Sequence, residues 1–301
     1  ALALVALGYA ILMGLRPPLL PALVCLGLIG FGATLVAFCI QHDANHGAYF
    51  ARRRWNHLLG WSADVVLGVS SYVWRVKHNV AHHTYTNVVG MDDDIDQSPI
   101  ARLAPTQPPH PWYRLQHLYV WPLYAFMGIR WQMGGDLVTL LQGKVADSPV
   151  HWPRGWNLAG FVGGKALFVA WALALPMLVY PWWAVLAAYA GVTAGVSLVM
   201  AVVFQLAHCV EGTSFPTREE LAAEPHSWAV HEVETTADFA QGSAALTWTL
   251  GGLNFQIEHH LFPRVAHVHY PAIAPIVREA CARHGIRYIA NPSFGSALRS
   301  H

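Results

Sequence analysis

From Leu19 to Gln41 the chain carries no charged side chain. As a helix rising 1.5 Å per residue this stretch is about 34 Å long, enough to cross a hydrocarbon core of roughly 30 Å. Two further apolar runs, Leu158 to Tyr180 and Trp182 to Ala207, flank Pro181, with Lys165 near the start of the first, where it can snorkel. Ala1 to Leu15 is apolar but short, and Arg16, Pro17 and Pro18 end it. The chain begins without Met inside this run, as a trimmed sequence would. These runs predict four membrane spans, at about 1–15, 19–41, 158–180 and 182–207, paired as two hairpins.

The polar segments, 42–157 and 208–301, then fall on one face of the membrane. Arg52, Arg53 and Arg54 directly after the second span make that face cytoplasmic. Asn56 to Trp74, interrupted by Asp64, and Trp112 to Trp131 predict interfacial helices. Residues 87–111 form a loop in which Asp92, Asp93, Asp94 and Asp96 lack the ligand spacing of an EF-hand and are expected to be solvated. The expected fold is an all-α integral membrane protein, a single domain over 1–301, with a cytoplasmic cap. Only 12% of residues are charged against 54% hydrophobic, too few charges to cover a soluble domain. A net charge of +1 gives no case for a nucleic-acid partner. Cys25, Cys39, Cys209 and Cys281 form no C-x-x-C pair, which argues against a disulfide framework or a zinc ribbon.

Histidine is the anomaly, 18 residues in all, as many as Lys and Arg together. His42 and His46 close the second span four residues apart, so on a continuing helix they share a face. His78 and His82 repeat that spacing, and His83 is turned by about 100° from His82. His259 and His260 follow an apolar stretch, and His208 ends the fourth span. Neutral imidazole suits iron, copper, nickel and zinc, and eight rings exceed what one ion takes. Two metals are the expected count. With almost no bridging carboxylate in the clusters, this is not the Glu/His pattern of soluble di-iron bundles.

The H-x3-H at His42/His46, the H-x3-HH at His78/His82/His83 and the Q-x2-HH at Gln256/His259/His260 resemble the histidine boxes of the membrane fatty-acid desaturase family. The resemblance covers nearly the whole chain. Gln256 and the tail from Pro275 to Tyr288 are similar to the front-end branch and its bacterial linoleoyl-CoA desaturase-like relatives, which insert a double bond on the carboxyl side of an existing one. The resemblance implies two non-heme iron ions held by His42, His46, His78, His82, His83, His208, His259 and His260. Gln256 occupies a ligand-like slot, and His231 is a further candidate. By sequence proximity Asp43, Asn79, Asn87 and Glu258 are placed to orient the rings. In the stretch Trp228 to Phe239, Glu232 and Asp238 stand where the family pattern suggests amides. His267, His269, His284 and His301 lie outside the boxes and are expected at the surface.

The activity so implied is O2-dependent desaturation of a fatty-acyl chain carried on CoA, lipid or carrier protein. No His-Pro-Gly-Gly heme segment occurs in the sequence, so electrons are expected from a separate donor such as ferredoxin or cytochrome b5. An acyl hydroxylase, an acetylenase or a terminal-alkene-forming decarboxylase on the same scaffold is the nearest rival. A histidine-rich metal transporter would instead place ionisable ligands at the bilayer midplane, where the spans hold almost none.

Overall fold

A computed structural model describes residues 1–223 and 227–301. Its architecture is helical, with two small two-stranded sheets, β1 (Lys144–Val145) antiparallel to β2 (Ser148–Pro149) and β3 (Asp238–Phe239) parallel to β4 (Ala290–Asn291). Among the described residues three helices have the length and apolar composition of a membrane span: α2 (Leu19–His46), α4 (Trp156–Met177) and α5 (Trp182–His208). The predicted first span, α1 (Leu2–Leu15), is a shorter apolar helix of 14 residues. It packs along α2, and the Tyr180 hydroxyl donates to the Leu12 carbonyl at 2.6 Å, tying the two hairpin tips together. The helix α3 (Gln116–Arg130) lies against α5, where the Ser197 hydroxyl accepts from Gly128 N–H at 2.6 Å and donates to the Tyr124 carbonyl at 2.8 Å.

The second span does not stop at Gln41. It continues to His46 through a π-helical stretch, Val36–Gln41, and ends at Gly47 in the left-handed conformation. A continuous helix therefore carries His42 and His46 out of the apolar segment on one face.

The interfacial helix expected over Asn56 to Trp74 is instead three pieces: Arg53–Gly60, the π-helical Ala63–Leu67, and Ser71–Arg75. Asp64 is the reason. It is 2% exposed and accepts hydrogen bonds from the Ser71 N–H and hydroxyl, so the segment folds around a buried carboxylate packed on α4. From Ser71–Arg75 the chain continues as the π-helical Val76–His82.

After α5 come α6 (Trp228–Glu234), α7 (Gln256–Leu261) and α8 (Tyr270–His284). Gly251 and Gly252 have positive φ, 57° and 70°, and a Cβ on Gly251 would lie 2.5 Å from the Phe38 carbonyl oxygen. Only glycine lets the chain pass this close to the π stretch of α2, and that passage brings α7 against the histidine end of the helix.

Candidate metal centre

Asn87 fastens the polar segments to one another. It is fully buried with φ 60°, a left-handed conformation that asparagine tolerates. Its side-chain amide donates to the carbonyls of His208 (2.9 Å), Ser214 (3.2 Å) and Thr235 (3.0 Å). The loop after the second histidine box, the end of α5 and the end of α6 therefore share one polar clasp.

Around that clasp the eight box and span-end histidines converge, each 9% exposed or less. Potential ligand atoms of His42, His46, His78 and His259 lie within 4.8 Å of one another, as do those of His82, His208 and His260. His83 joins the two groups through His259 and His260, its ring stacked on His260 at 4.2 Å. The π winding of Val76–His82 explains part of this. It bonds His83 N–H to the His78 carbonyl, five residues back, and puts the two Nε2 atoms 3.2 Å apart.

The donor set fits metal ions. Among the described residues, a ring nitrogen of His42, His46, His82, His83, His208, His259 and His260 is buried without a hydrogen-bond partner. Leaving one such group unmet costs about 1–3 kcal/mol. A metal ion satisfies several at once, and two ligand nitrogens at about 2 Å from one ion are themselves about 3 Å apart, the spacing found between His78 and His83.

Several rings have the opposite nitrogen held. His82 Nδ1 lies 3.0 Å from Asp92, His260 Nδ1 lies 2.7 Å from Glu232, and His259 Nδ1 lies 3.2 Å from the Tyr270 hydroxyl. A proton fixed on Nδ1 leaves Nε2 as the lone pair, the arrangement of a metal ligand. Burial keeps His78, His83, His259 and His260 well below the ordinary imidazole range and therefore neutral. For His82 burial acts the same way, but the Asp92 carboxylate outweighs it and holds the ring proton up to about 9. Burial pushes Glu232 up to about 8, against the Thr86 hydroxyl and His82.

The other sequence candidates divide. The Gln256 amide nitrogen is 3.1 Å from His208 Nε2, so both side chains aim at one spot. His231 is buried on α6, and from the same helix Glu232 meets His260 and the Trp228 indole donates to the His83 carbonyl at 3.4 Å. Asp43 accepts from His267, by its Nδ1 at 2.8 Å and its N–H at 3.2 Å, and its other oxygen is 3.8 Å from His42 Nδ1. Asn79 donates to the Asn45 carbonyl at 2.9 Å rather than to a ring. Glu258 accepts from the Tyr288 hydroxyl at 3.0 Å, and that hydroxyl also bonds Asp238, which in turn accepts from Ile257 N–H at 2.9 Å. Burial first, and Asp238 second, push Glu258 up to about 9.

Three expectations need correction. Asp92 is not solvated: it is 1% exposed and its carboxylate holds both His82 and the Asn87 N–H. His267 is tied to Asp43 rather than free at the surface. His301 is half-buried between the Tyr124 hydroxyl (3.0 Å) and the Cys209 carbonyl (2.8 Å). His269 and His284 are exposed as expected. Glu232, Asp92 and Tyr270 are the ring-holding residues that sequence proximity missed.

Beside the cluster lies an apolar cavity of about 370 Å³. Gln41 and Trp74 line it at the histidine end, and Pro17, Leu19 and Tyr180 line it at the hairpin tips. Trp74 stacks on His78 at 4.3 Å and meets His42 edge-on at 5.7 Å, so its indole forms the wall between cavity and histidines.

Apolar spanning helices, a buried polyhistidine centre at their ends and an elongated apolar cavity beside it define a membrane protein with a metal-compatible site. The comparisons are more specific. The chain belongs to the fatty acid desaturase family, whose family model matches residues 17–292. It is 38% identical to an sn-1 linoleoyl-lipid 6-desaturase of Arthrospira platensis, over 91% of this chain and 74% of that protein. It is 36% identical to the sn-1 linoleoyl-lipid 6-desaturase of a Synechocystis strain, over 92% and 78%. An acyl-lipid (8-3)-desaturase of Physcomitrium patens is 38% identical over 91% of this chain and 57% of its own length.

Proposed function

We propose that this protein is a di-iron desaturase that inserts a double bond into the acyl chain of a membrane lipid, with front-end regiochemistry. The observation that carries the reading is the buried double group of histidines at the end of an apolar cavity. The substrate class follows the names of the relatives, which act on linoleoyl-lipid and acyl-lipid.

His42, His46, His78, His82, His83, His208, His259 and His260 would hold two iron ions, with Gln256 beside His208. When bound, the metals supply the O2-dependent oxidation that no side chain can perform on an unactivated C–H bond. The remaining work belongs to the protein. Asp92, Glu232 and Tyr270 fix ring tautomers. Trp74 and Gln41 set which methylenes of a chain in the cavity lie next to the histidines, a matter of position that governs the reaction site. The apolar lining excludes water. Four spans, counting α1, with the histidine face cytoplasmic complete the arrangement, the whole of 1–301 forming one domain. His231 is not needed as a ligand in this reading.

The test is lipid analysis of cells expressing the protein. New double bonds in lipid acyl chains, lost when His82 or His260 is replaced by alanine, support the proposal. Chains that gain a hydroxyl or lose a carbon would overturn it. Purified protein should carry about two irons per chain, the number its two histidine groups suggest.

A further inference from the structure

Desaturation, on which this inference rests, selects the methylenes that the cavity wall holds next to the histidines. Wall and histidines belong to different parts of the chain, so the distance between them has to be fixed by a contact that joins the two.

Lys165 is the only Lys or Arg in the three spans α2, α4 and α5. A charged side chain inside a span is costly and marks a function. Lys165 does not snorkel as its position in the sequence suggests. Its Nζ turns inward and lies 2.8 Å from Oδ2 of the buried Asp136. The same ammonium donates to the Gly68 carbonyl at 2.6 Å and lies 3.2 Å from the Gln132 carbonyl and 3.4 Å from that of Trp131. An ammonium has three N–H donors, so these oxygens use all of them and none is left for a substrate headgroup.

The carbonyls belong to the wall. Leu67 and Val69, on either side of Gly68, line the cavity, as do Trp131 and Gln132. The Gln132 side chain closes the same seam: its Nε2 donates to the Leu67 carbonyl at 2.7 Å and its Oε1 accepts from the Tyr189 hydroxyl of α5 at 2.7 Å.

The carboxylate leads to the histidines. Asp136 Oδ2, the oxygen that pairs with Lys165, also accepts from the Ser70 N–H at 2.8 Å. Ser70 is fully buried and starts the helix Ser71–Arg75. Its hydroxyl accepts from the Val73 N–H at 3.3 Å and its carbonyl from the Trp74 N–H at 2.9 Å. Trp74 stacks on His78, which the chain reaches directly from that helix. One ion pair therefore ties the wall at 67–69 and 131–132 to the helix start that carries Trp74 and leads to the second histidine box.

We propose that the Lys165–Asp136 pair sets the position of the new double bond by fixing the cavity wall against the second histidine box. Both are positioning residues. Neither touches the acyl chain or a metal; they act through Gly68, Gln132 and Ser70.

Removing Lys165 alone leaves a buried carboxylate unpaired, which destabilises by itself. The test therefore uses Lys165→Met and the double variant Lys165→Met/Asp136→Asn, in which no charge remains and an amide oxygen can still accept from Ser70. Each full-length protein, iron-loaded in lipid nanodiscs, is given a linoleoyl phospholipid, O2 and a reductant. Iron content, thermal midpoint and the position of the new double bond are read together. Lys165→Met should melt below the double variant. The double variant should hold as much iron as the unsubstituted protein, with about a tenth or more of its product carrying the bond at a shifted position, since a displacement of about 1 Å changes the rate at one site by about 100-fold. A pair that only supports the fold would lower the amount of product without moving the bond. A double variant with full iron that keeps the bond in place, at whatever rate, would therefore overturn the proposal, as would one that forms no product. So would a Lys165→Met protein that melts and reacts like the unsubstituted one. Failure of the desaturase reading itself looks different: no unsaturated product from the unsubstituted protein with any reductant.

Discussion

Glu232 places one carboxylate oxygen 2.7 Å from His260 Nδ1, and the Thr86 hydroxyl donates to the same oxygen at 3.0 Å. Replacing it by Gln puts an amide where the buried ring meets a titratable carboxyl group, and residues in such positions typically govern metal retention or activity by about 10–100-fold. Glu232→Gln is therefore expected to lose iron to a chelator faster than the unsubstituted protein, with activity falling in proportion; metal analysis after timed dialysis checks it. Titration gives a second prediction at this scale. Burial holds His78, His83, His259 and His260 well below the ordinary imidazole value of about 6.5 in the folded protein. Below pH of about 6.5 these four rings bind more protons in the unfolded chain than in the folded one, so their share of the stability of metal-free protein is lost as pH falls through that value. Glu232, Glu258 and His82, held up to about 8, 9 and 9, act in the opposite sense, so the share of one ring is read by difference: on going from pH 8 to pH 5.5 with iron removed, the unsubstituted protein should lose more of its thermal midpoint than His83→Ala does, and an equal loss would contradict the burial of that ring. The ligand-type residues were visible in the sequence because each box is local. Their holders were not: Glu232 meets His260 across 28 residues, and Asp92 sits in an Asp-rich stretch that reads as solvated until the fold buries it under His82.

Two helices reach the centre through π-helical winding, α2 over Val36–Gln41 and the second box over Val76–His82. The apolar runs located the long helices to within a few residues, and the four-residue spacing of His42 and His46 placed them on one face. The π turns left no such mark, because they arise from packing rather than from side-chain period. This is why His83, turned by about 100° from His82 on an ideal helix, meets His78 with the two rings nearly perpendicular at 4.7 Å. The broken segment before Ser71 was hidden for a related reason: its buried Asp64 reads as an interfacial residue until α4 covers it. Gly164 of α4 touches that carboxylate's own Cβ region, where an added methyl group has no room. Gly164→Ala should therefore destabilise the protein by about 1–3 kcal/mol through overpacking, read as a lowered melting temperature in detergent; an unchanged midpoint would show that α4 does not press on this segment.

Among the described residues, the apolar helices line an elongated cavity that ends at the histidine cluster, and composition alone indicated a membrane protein without indicating that space. Ala188 of α5 lines it at a distance from the histidines. Ala188→Trp should cut turnover of long acyl chains by about tenfold or more while shorter chains and iron content are spared, since it fills volume without touching a ligand. Equal loss for all chain lengths would argue that the chain does not occupy the cavity. The most direct measurement of the central claim follows the acyl chain itself. Iron-loaded protein in lipid nanodiscs, given a phospholipid with a deuterated linoleoyl chain, O2 and a reductant, should return a chain lighter by two hydrogen isotopes with one new double bond on the carboxyl side of the existing ones. A chain heavier by one oxygen, or unaltered while iron is fully bound, would contradict it.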